Sequence, residues 1–303
     1  MSVKKKLANI FRCGLTLISP KLNTMACYKA KFNKKLDLNN PQTLNEKNLW
    51  LKFNTYWNNP LVKQCADKYL VREYVEKAGC PEILNQLVAS FKNPEDLAFD
   101  ELPDKFALKL NIGCGYNYIV SDKTKENRSD LVKHMQKWMR KAKTCYLGYS
   151  EMQYKGVEPR FLVEHFLGDD KGNLPEDYKF YCLNGKCEMI MFCKDRHADG
   201  HGAKYFFMDT DWNMLANVFN DPNIIVEKPE NFKKAIQYAE MLSKPFPYVR
   251  VDLYIVGSSI YFGELTFTPA AGMDVDHKLK VFGTDEDLDH IYGRKLKLPE
   301  KAE

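Results

Sequence analysis

The chain has 303 residues, of which 45% are hydrophobic and 28% are charged, and this composition is typical of a folded globular protein. The length exceeds the usual size of one domain, so we expect two lobes with a cleft between them. The net charge is only +5 and basic residues occur along the whole chain, which argues against a nucleic-acid-binding protein. Nine cysteines without a CxxC pair argue against a disulfide framework and indicate a reducing, cytoplasmic compartment.

Residues 1–80 are predicted to form a helical and basic N-terminal region. Its first segment is an amphipathic helix, since the apolar run is interrupted by Arg12 and is too short to span a bilayer. One side of this helix can present the apolar residues Leu7, Ile10, Leu15 and Ile18. The basic residues Lys4, Lys5, Lys6 and Arg12 are available to a phosphate-rich surface. We expect the apolar side to pack on the body of the protein; the alternative is peripheral contact with the inner face of a membrane.

Two further helices are predicted before residue 80. The first spans Pro41 to Trp57, because Thr43 and Glu46 have the spacing of a capping box. The second spans Pro60 to Gly79, where the glycine ends the helix.

A small lobe is predicted over residues 81–160, with strands at Ile83–Phe91 and Phe106–Leu110 and a helix at Ser129–Lys141 capped by Ser129. The loop NIGCGYN follows the second strand. A lysine that ends a strand, here Lys109, can neutralise a phosphate while glycine-loop N–H groups bind its oxygens. The loop lacks both the Walker A and the GxGxxG pattern, and a plain turn is the simpler alternative.

A large lobe is predicted over residues 161–303. The segments FLVEHFL, DYKFYCLNG and CEMIMFC are predicted strands, and Pro229–Leu242 is a predicted helix. Glu164 lies among apolar residues, so its carboxylate needs a partner if buried, and the exocyclic amine of a purine is one suitable partner. Arg196 ends a strand beside a glycine-containing loop and is a candidate for contact with a substrate or a phosphate.

The segment Tyr248–Met273 predicts a hairpin with two carboxylates on one face. Side chains alternate across a strand, so Arg250, Asp252 and Tyr254 share one face while Val251, Leu253 and Ile255 face the core. On the returning strand Phe262, Glu264 and Thr266 are expected to share a face and to meet Asp252 in register. Two carboxylates beside a guanidinium suit a Mg²⁺–triphosphate anchor. A surface hairpin with a cross-strand salt bridge is the alternative.

Five segments occur in an order that resembles the ATP-grasp enzymes, in particular the TupA-like branch associated with teichuronic acid and other bacterial surface polysaccharides. They are DKYLVREYV, FALKLNIGCGYN, FLVEHFL, DYKFYCLNG, and RVDLY followed by YFGELTFTPAAG. The resemblance extends from about Leu36 to Met273. It implies an α+β fold in which two lobes grip ATP between antiparallel sheets.

The resemblance also implies residue roles. Lys68 and Lys109 would contact ATP phosphates under a lid formed by the loop from Gly113 through Gly115 to Asn117. Glu164 would receive the adenine amine. The remaining implied roles are purine-edge contact near Phe166, ribose contact by Asp177, Mg²⁺ ligation by Asp252, Glu264 and Thr266, and catalysis by Arg250 with Lys109 and Arg196. The family usually has Asn where this chain has Thr266, and often Pro-Gly where this chain has TPAAG.

The function implied is that of an ATP-dependent ligase that joins a carboxylate to an amine through an acyl-phosphate. By the same resemblance its substrate would be an acidic sugar, free or glycan-linked, coupled to an amine. A glycosyltransferase is one alternative, because Asp209–Asp211 and Asp274–Asp276 are DxD patterns. A non-catalytic nucleotide-binding protein is the other, suggested by Thr266 and the altered TPAAG segment. The sequence does not fix the oligomeric state.

Overall fold

The structure, a computed structural model, describes residues 3–168, 174–194 and 203–300. Within these ranges the helices are α1 (Val3–Ile18), α2 (Pro20–Phe32), α3 (Leu44–Leu51), α4 (Pro60–Ala66), α5 (Val71–Lys77), α6 (Arg128–Ala142), α7 (Phe232–Ser243) and α8 (Leu288–Lys295). The strands are β1 (Leu87–Phe91), β2 (Phe106–Leu110), β3 (Asn117–Val120), β4 (Phe161–His165), β5 (Asp177–Leu183), β6 (Lys186–Lys194), β7 (Lys204–Met208), β8 (Met214–Asn217), β9 (Tyr248–Val256) and β10 (Ser259–Thr266). No described helix is both long and apolar enough to cross a bilayer.

Two antiparallel sheets organise the chain, as the α+β prediction requires. The first has four strands in the order β1-β4-β2-β3 and packs its apolar face against α6. The second has six strands in the order β10-β9-β5-β6-β7-β8 and packs against α7 and the helical region. Strand β4 pairs with β1 and β2, so the four-stranded sheet extends beyond the predicted lobe boundary at residue 160. The division into lobes stays a prediction, with its boundary better drawn after His165.

Helix α1 turns its apolar side outward, whereas the sequence predicted that this side packs on the protein. Leu7, Ile10 and Ile18 are exposed, so the expected packing of these residues on the body of the protein is wrong. Helix α1 packs instead with its polar side, where Thr16 Oγ1 donates to the Leu147 carbonyl at 2.6 Å. The helix itself was predicted correctly.

Helix α3 begins as the sequence predicts. Thr43 Oγ1 accepts from the Glu46 N–H at 3.3 Å and the Glu46 carboxylate accepts from the Thr43 N–H at 3.2 Å, which completes the capping box. The predicted helix to Trp57 is an α-helix only to Leu51, and it continues as a π-helix over Lys52–Tyr56.

The predicted helix from Pro60 to Gly79 is broken into α4 and α5. Asp67 has an extended backbone, and its carboxylate accepts the N–H groups of Tyr69 and Leu70 at 2.8 and 3.1 Å. An aspartate that binds the backbone two and three residues ahead competes with the helix and forms a turn. Lys68 therefore lies in a turn rather than on a helix. Helix α6 also starts earlier than predicted, because Asn127 rather than Ser129 is its N-cap.

Candidate active site

The hairpin β9–β10 brings the predicted carboxylates together, although by an irregular register. Asp252 pairs with Glu264 and Arg250 pairs with Thr266, while Leu253 pairs with Phe262. A β-bulge at Gly263 makes this possible, since it places Phe262 in the core and Glu264 on the opposite face. The expectation that Phe262 shares a face with Glu264 is wrong, because strict alternation ignores the extra residue.

Residue 263 must be glycine because the backbone of Asp252 lies close to its Cα atom. A Cβ atom at this position would lie 2.9 Å from the Asp252 carbonyl oxygen, closer than real Cβ atoms approach oxygen. Because Gly263 has no side chain, the strand can form the bulge that places Glu264 opposite Asp252.

Arg250 contacts three other residues on this face of the hairpin. Its Nε and Nη2 atoms each lie 2.7 Å from an oxygen of Asp252, a bidentate pair. The same Nη2 atom donates to Thr266 Oγ1 at 3.3 Å and lies 3.8 Å from Glu264 Oε1. Thr266 in turn donates to Glu264 Oε1 at 2.9 Å. Four predicted residues thus form one hydrogen-bonded cluster.

Lys179 joins this cluster and was missed in the sequence. It lies on β5 opposite Asp252, and its Nζ atom is 2.7 Å from Asp252 Oδ2 and 2.6 Å from Asp177 Oδ2. Burial alone would lower the pKa of Lys179, but Asp177 and Asp252 outweigh it and raise that pKa. A signal was present, because Asp177 and Lys179 alternate onto one face of the predicted strand. Asp177 is buried against Lys179, and its predicted ribose contact stays a prediction.

Lys68 links the hairpin to the glycine loop. Its Nζ atom donates to the Gly113 carbonyl at 2.7 Å and lies 3.2 Å from Glu264 Oε2. Gly113 and Gly115 both have positive φ, +70° and +76°, a conformation that favours glycine. Asn117 begins β3 directly after this loop and is exposed.

Asn111 holds the Lys68 turn in place and was also missed in the sequence. Its carbonyl accepts the Lys68 N–H at 3.0 Å, and its side-chain amide donates to Asp67 at 2.6 Å. Asn111 follows the β2 strand directly, so it connects the turn to the end of that strand. A buried asparagine at a strand end is the kind of signal that hydrophobic periodicity does not register.

Lys109 and Glu164 form a buried ion pair on the four-stranded sheet. Lys109 Nζ lies 2.5 Å from Glu164 Oε2, and Arg72 Nη1 lies 3.8 Å from Glu164 Oε1. Glu164 thus has partners within the protein. Burial would lower the pKa of Lys109, but the Glu164 carboxylate outweighs it and raises that pKa. Phe166 follows β4 and is buried.

The charged groups of the site balance one another, since Lys68, Lys179 and Arg250 are paired with Asp177, Asp252 and Glu264. Burial tends to raise the pKa of Glu264, but Lys68, then Arg250 and Lys179, lower it to about 2. Glu264 therefore stays ionised at neutral pH, inside a cluster of three cations. Such a cluster can transfer its contacts to phosphate oxygens when a polyphosphate binds.

The residues present fit a Mg²⁺ ion that arrives with nucleotide. Asp252 and Glu264 offer carboxylate oxygens and Thr266 a hydroxyl, but no group of three or more His, Cys, Asp or Glu residues able to hold a metal occurs in the described part of the chain. Two carboxylates cannot fill an octahedral shell, and Mg²⁺ in phosphoryl-transfer sites takes its remaining ligands from phosphates and water. The donor set therefore suits a metal–triphosphate complex better than a permanent metal centre.

The loop after β10 replaces Pro-Gly by TPAAG and has an unusual backbone. Ala270 and Ala271 have φ of +47° and +62°, the left-handed region that alanine seldom adopts. The loop is fixed by Asn48, whose Nδ2 atom donates to the Phe267 carbonyl at 2.8 Å.

Of the other predicted candidates, Arg196 lies outside the described residues. In the two DxD patterns, Asp209 accepts backbone N–H groups of a turn at 2.7 and 2.9 Å, and Asp274 accepts the N–H of Asp276 at 3.0 Å. These carboxylates therefore have structural partners in their own turns.

Comparison with known families places the whole cluster inside one family match. The model described as TupA-like ATPgrasp matches residues 46–296, which confirms the resemblance predicted from the sequence. A search of curated proteins gives no match.

Solved structures of ATP-grasp ligases show a distant likeness. A D-alanine–D-alanine ligase from Bacillus anthracis complexed with ATP has 15% identity and a TM-score of 0.40, over 68% of this chain and 55% of that one. The ATP-grasp ligase PsnB complexed with minimal precursor has 11% identity and a TM-score of 0.42, over 79% of this chain and 62% of that one. N5-carboxyaminoimidazole ribonucleotide synthetase from Thermus thermophilus has 14% identity and a TM-score of 0.39, over 68% of this chain and 46% of that one. The chain thus matches less than two thirds of each structure, and TM-scores this low establish nothing about its reaction.

Proposed function

Since the chain belongs to the TupA-like ATP-grasp family, we propose that it is an ATP-dependent ligase that joins a carboxylate to an amine. The observation that carries this proposal is the convergence of Lys68, Lys179 and Arg250 on the facing carboxylates of Asp252 and Glu264. With Asp177, which pairs with Lys179, the cluster has three cations and three carboxylates, and it offers both signs of charge that a magnesium–triphosphate complex needs. The cluster also lies where the hairpin meets the glycine loop, between the two sheets.

The nucleotide is proposed to be ATP, held by residues of both sheets. Lys68 and Lys109 contact its phosphates, and the Gly113–Asn117 loop covers them with backbone N–H groups. Binding requires Lys68 to exchange its contact with the Gly113 carbonyl for a phosphate oxygen. Glu164, Phe166 and Asp177 are proposed for the adenosine part, which makes the Lys109–Glu164 pair a link between the base and the phosphates.

Mg²⁺ is proposed to bind at Asp252 and Glu264, with Thr266 as a weak ligand or as the partner of a metal-bound water. When bound, the ion supplies charge neutralisation of the phosphates. The chain's own contribution is to keep the two carboxylates opposite each other on the hairpin and to keep Glu264 ionised. Lys68 and the Thr266 hydroxyl do this for Glu264. Burial raises the pKa of Asp252, and the contacts of that carboxylate with Arg250 and Lys179 counteract the rise and hold the carboxylate in place.

The proposed reaction has two steps. An oxygen of the substrate carboxylate forms a bond to the γ-phosphorus while the bond from that phosphorus to the bridging oxygen breaks, which gives an acyl-phosphate and ADP. The amine then attacks the acyl carbon, phosphate leaves with the C–O bond electrons, and the amine loses a proton. Arg250 and Lys109 stabilise negative charge on the transferred group. Arg196 stays a candidate for substrate contact.

The substrate is proposed to be an acidic sugar of a surface polysaccharide or of its precursor, in the cytoplasm. Support comes from the family alone, because the described residues offer no motif that selects an acceptor.

The proposal is tested by ³¹P NMR of the protein with ATP, Mg²⁺ and pools of uronic acids and amines. The ligase reaction gives ADP and inorganic phosphate only when both a carboxylate and an amine are present. Asp252→Asn and Glu264→Gln together should abolish this turnover. Asp211→Asn, an exposed carboxylate of the β7–β8 turn, is the matched control and should react as the unaltered protein does. Release of UDP or GDP from nucleotide sugars instead would contradict a ligase.

A further inference from the structure

Helix α1 carries a continuous stripe of exposed apolar side chains. Spacings of three, four and seven residues place them on one face, and they are exposed to between 61% and 79%. This apolar stripe consists of Leu7, Ile10, Phe11, Leu17 and Ile18. Single exposed apolar residues are ordinary, but five on one helical face form a contiguous patch that calls for a partner.

The opposite face of α1 is polar and already occupied. Thr16 Oγ1 donates to the Leu147 carbonyl at 2.6 Å, and Arg12 Nη1 donates to the Tyr149 hydroxyl at 3.3 Å. The Arg12 guanidinium also lies 4.6 Å from the centre of the Tyr149 ring. This helix is inverted relative to an ordinary surface helix, since its polar side faces the protein and its apolar side faces outward.

The segment that carries the stripe has charges of a single sign. Residues 1–36 include no aspartate or glutamate, and all 40 acidic residues of the chain occur from Asp37 onward. The basic residues of this segment are Lys4, Lys5, Lys6, Arg12, Lys21, Lys29, Lys31, Lys34 and Lys35. By helical periodicity Lys4 and Lys6 lie at the two edges of the stripe. A second copy docked stripe to stripe would oppose lysine with lysine, so the charges favour an anionic partner.

We propose that α1 lies in the interface of a membrane that contains anionic lipid. The apolar stripe enters the boundary between headgroups and acyl chains, and the flanking lysines contact lipid phosphates. A helix of 16 residues is about 24 Å long, shorter than the hydrocarbon core of about 30 Å, so it lies along such a surface rather than crossing it. Membrane contact was the alternative to body packing in the sequence, and the outward direction of the stripe now favours it.

The membrane helix is connected to the candidate active site by a short path of contacts. Tyr149, which stacks on Arg12, has a carbonyl that accepts from Lys52 Nζ at 2.6 Å. Two residues later, Glu151 accepts from Thr268 Oγ1 at 3.0 Å, in the loop directly after Thr266. Docking of α1 therefore gives the site a fixed orientation to the bilayer. If the proposed ligase function holds, this orientation suits an acceptor presented at the membrane surface.

Vesicle flotation of the full chain without nucleotide tests the docking independently of the ligase proposal. Vesicles of phosphatidylcholine alone are compared with vesicles that contain phosphatidylglycerol in equal part. Ile10→Ser with Phe11→Ser removes the centre of the stripe. Ile225→Ser with Val275→Ser removes two exposed apolar residues elsewhere and is the matched control. Lys4→Glu with Lys6→Glu tests the charges separately, and thermal melting checks that each variant folds.

We expect binding to the anionic vesicles only. The stripe variant should lower the partition coefficient at least about 10-fold, since two large apolar side chains leave the interface. The lysine variant should bind weakly, and the control should bind as the unaltered chain does. The proposal is overturned if the unaltered chain fails to float with anionic vesicles, or if the stripe variant floats equally well. A dimer in sedimentation that the stripe variant dissociates would also overturn it, because a second copy would then cover the stripe.

Discussion

Lys68 and Glu264 form an ion pair of 3.2 Å that joins a turn between two helices to the second strand of the carboxylate hairpin. The same ammonium group donates to the Gly113 carbonyl at 2.7 Å, so one side chain touches the hairpin and the glycine loop together. A nucleotide that enters between them must replace these contacts with its phosphates. In the proposed site, Lys68 would therefore couple nucleotide binding to the position of the loop.

Replacement of Lys68 by methionine should weaken ATP binding at least about 10-fold, because one charge-assisted contact to phosphate is worth about 1.5–3 kcal/mol. It should also release the glycine loop, which would show as faster hydrogen exchange over Gly113–Asn117. Lys63→Met on α4 is the matched control. Unchanged ATP affinity in the Lys68 variant would contradict a phosphate-binding role.

Gly263→Ala should destabilise the protein by about 1–3 kcal/mol, because a Cβ atom would lie 2.9 Å from the Asp252 carbonyl. The variant should also bind Mg²⁺–ATP less tightly, since relief of the clash moves Glu264 relative to Asp252. Gly14→Ala is the control: a Cβ atom there has no neighbour within 4 Å, and alanine favours a helix, so stability should hold or rise. Urea unfolding and calorimetric titration measure the two effects. Equal stability of Gly263→Ala and the unaltered chain would contradict the assigned bulge.

Glu264 should contribute to stability in a pH-dependent manner. Its pKa in the folded protein is about 2, below the ordinary value of 4.5, so its charge stabilises the fold above about pH 4.5. That contribution is lost as the pH falls through 2. The free energy of unfolding of the unaltered chain, relative to Glu264→Gln, should therefore be largest at neutral pH and shrink between about pH 5 and 2. A difference that grows on acidification would have the wrong sign for this assignment.

Thr266→Asn should increase the apparent Mg²⁺ affinity in the presence of ATP, because an amide oxygen is a better ligand than a neutral hydroxyl. We expect a gain of about 10-fold, the lower end of the range for changes in groups that support a metal site. Thr266→Val removes the hydroxyl that links Arg250 to Glu264 and should have the opposite effect. Titration of Mn²⁺ followed by electron paramagnetic resonance measures both. Equal affinity in all three proteins would place Thr266 outside the metal's environment.

Local patterns in the sequence predicted much of the fold and most of the cluster. Strand alternation predicted that Arg250 and Asp252 share a face, and the capping-box spacing predicted the start of α3. Both are properties of neighbouring residues. The family resemblance added the expected ATP-grasp fold, and the family match confirms that resemblance.

The features that were missed in the sequence depend mostly on contacts between distant segments. Lys179 acquires its role only because β5 lies beside β9, and Asn111 only because the end of β2 meets the Lys68 turn. The bulge at Gly263 shifts the hairpin by one residue, which no periodicity predicts. The break between α4 and α5 has a local cause. The Asp67 carboxylate accepts the N–H of Tyr69, and an aspartate at this position was the signal that was overlooked.

Asp252 and Glu264 are proposed to form the magnesium end of an ATP site. Calorimetric titration with a non-hydrolysable ATP analogue, with and without Mg²⁺, tests this assignment without knowledge of the acceptor. We expect the unaltered chain to bind the analogue more tightly with Mg²⁺ than without it, and Asp252→Asn and Glu264→Gln each to lose most of that difference. Asp211→Asn should retain it. Magnesium-independent binding, or an unchanged magnesium effect in both site variants, would contradict the assignment.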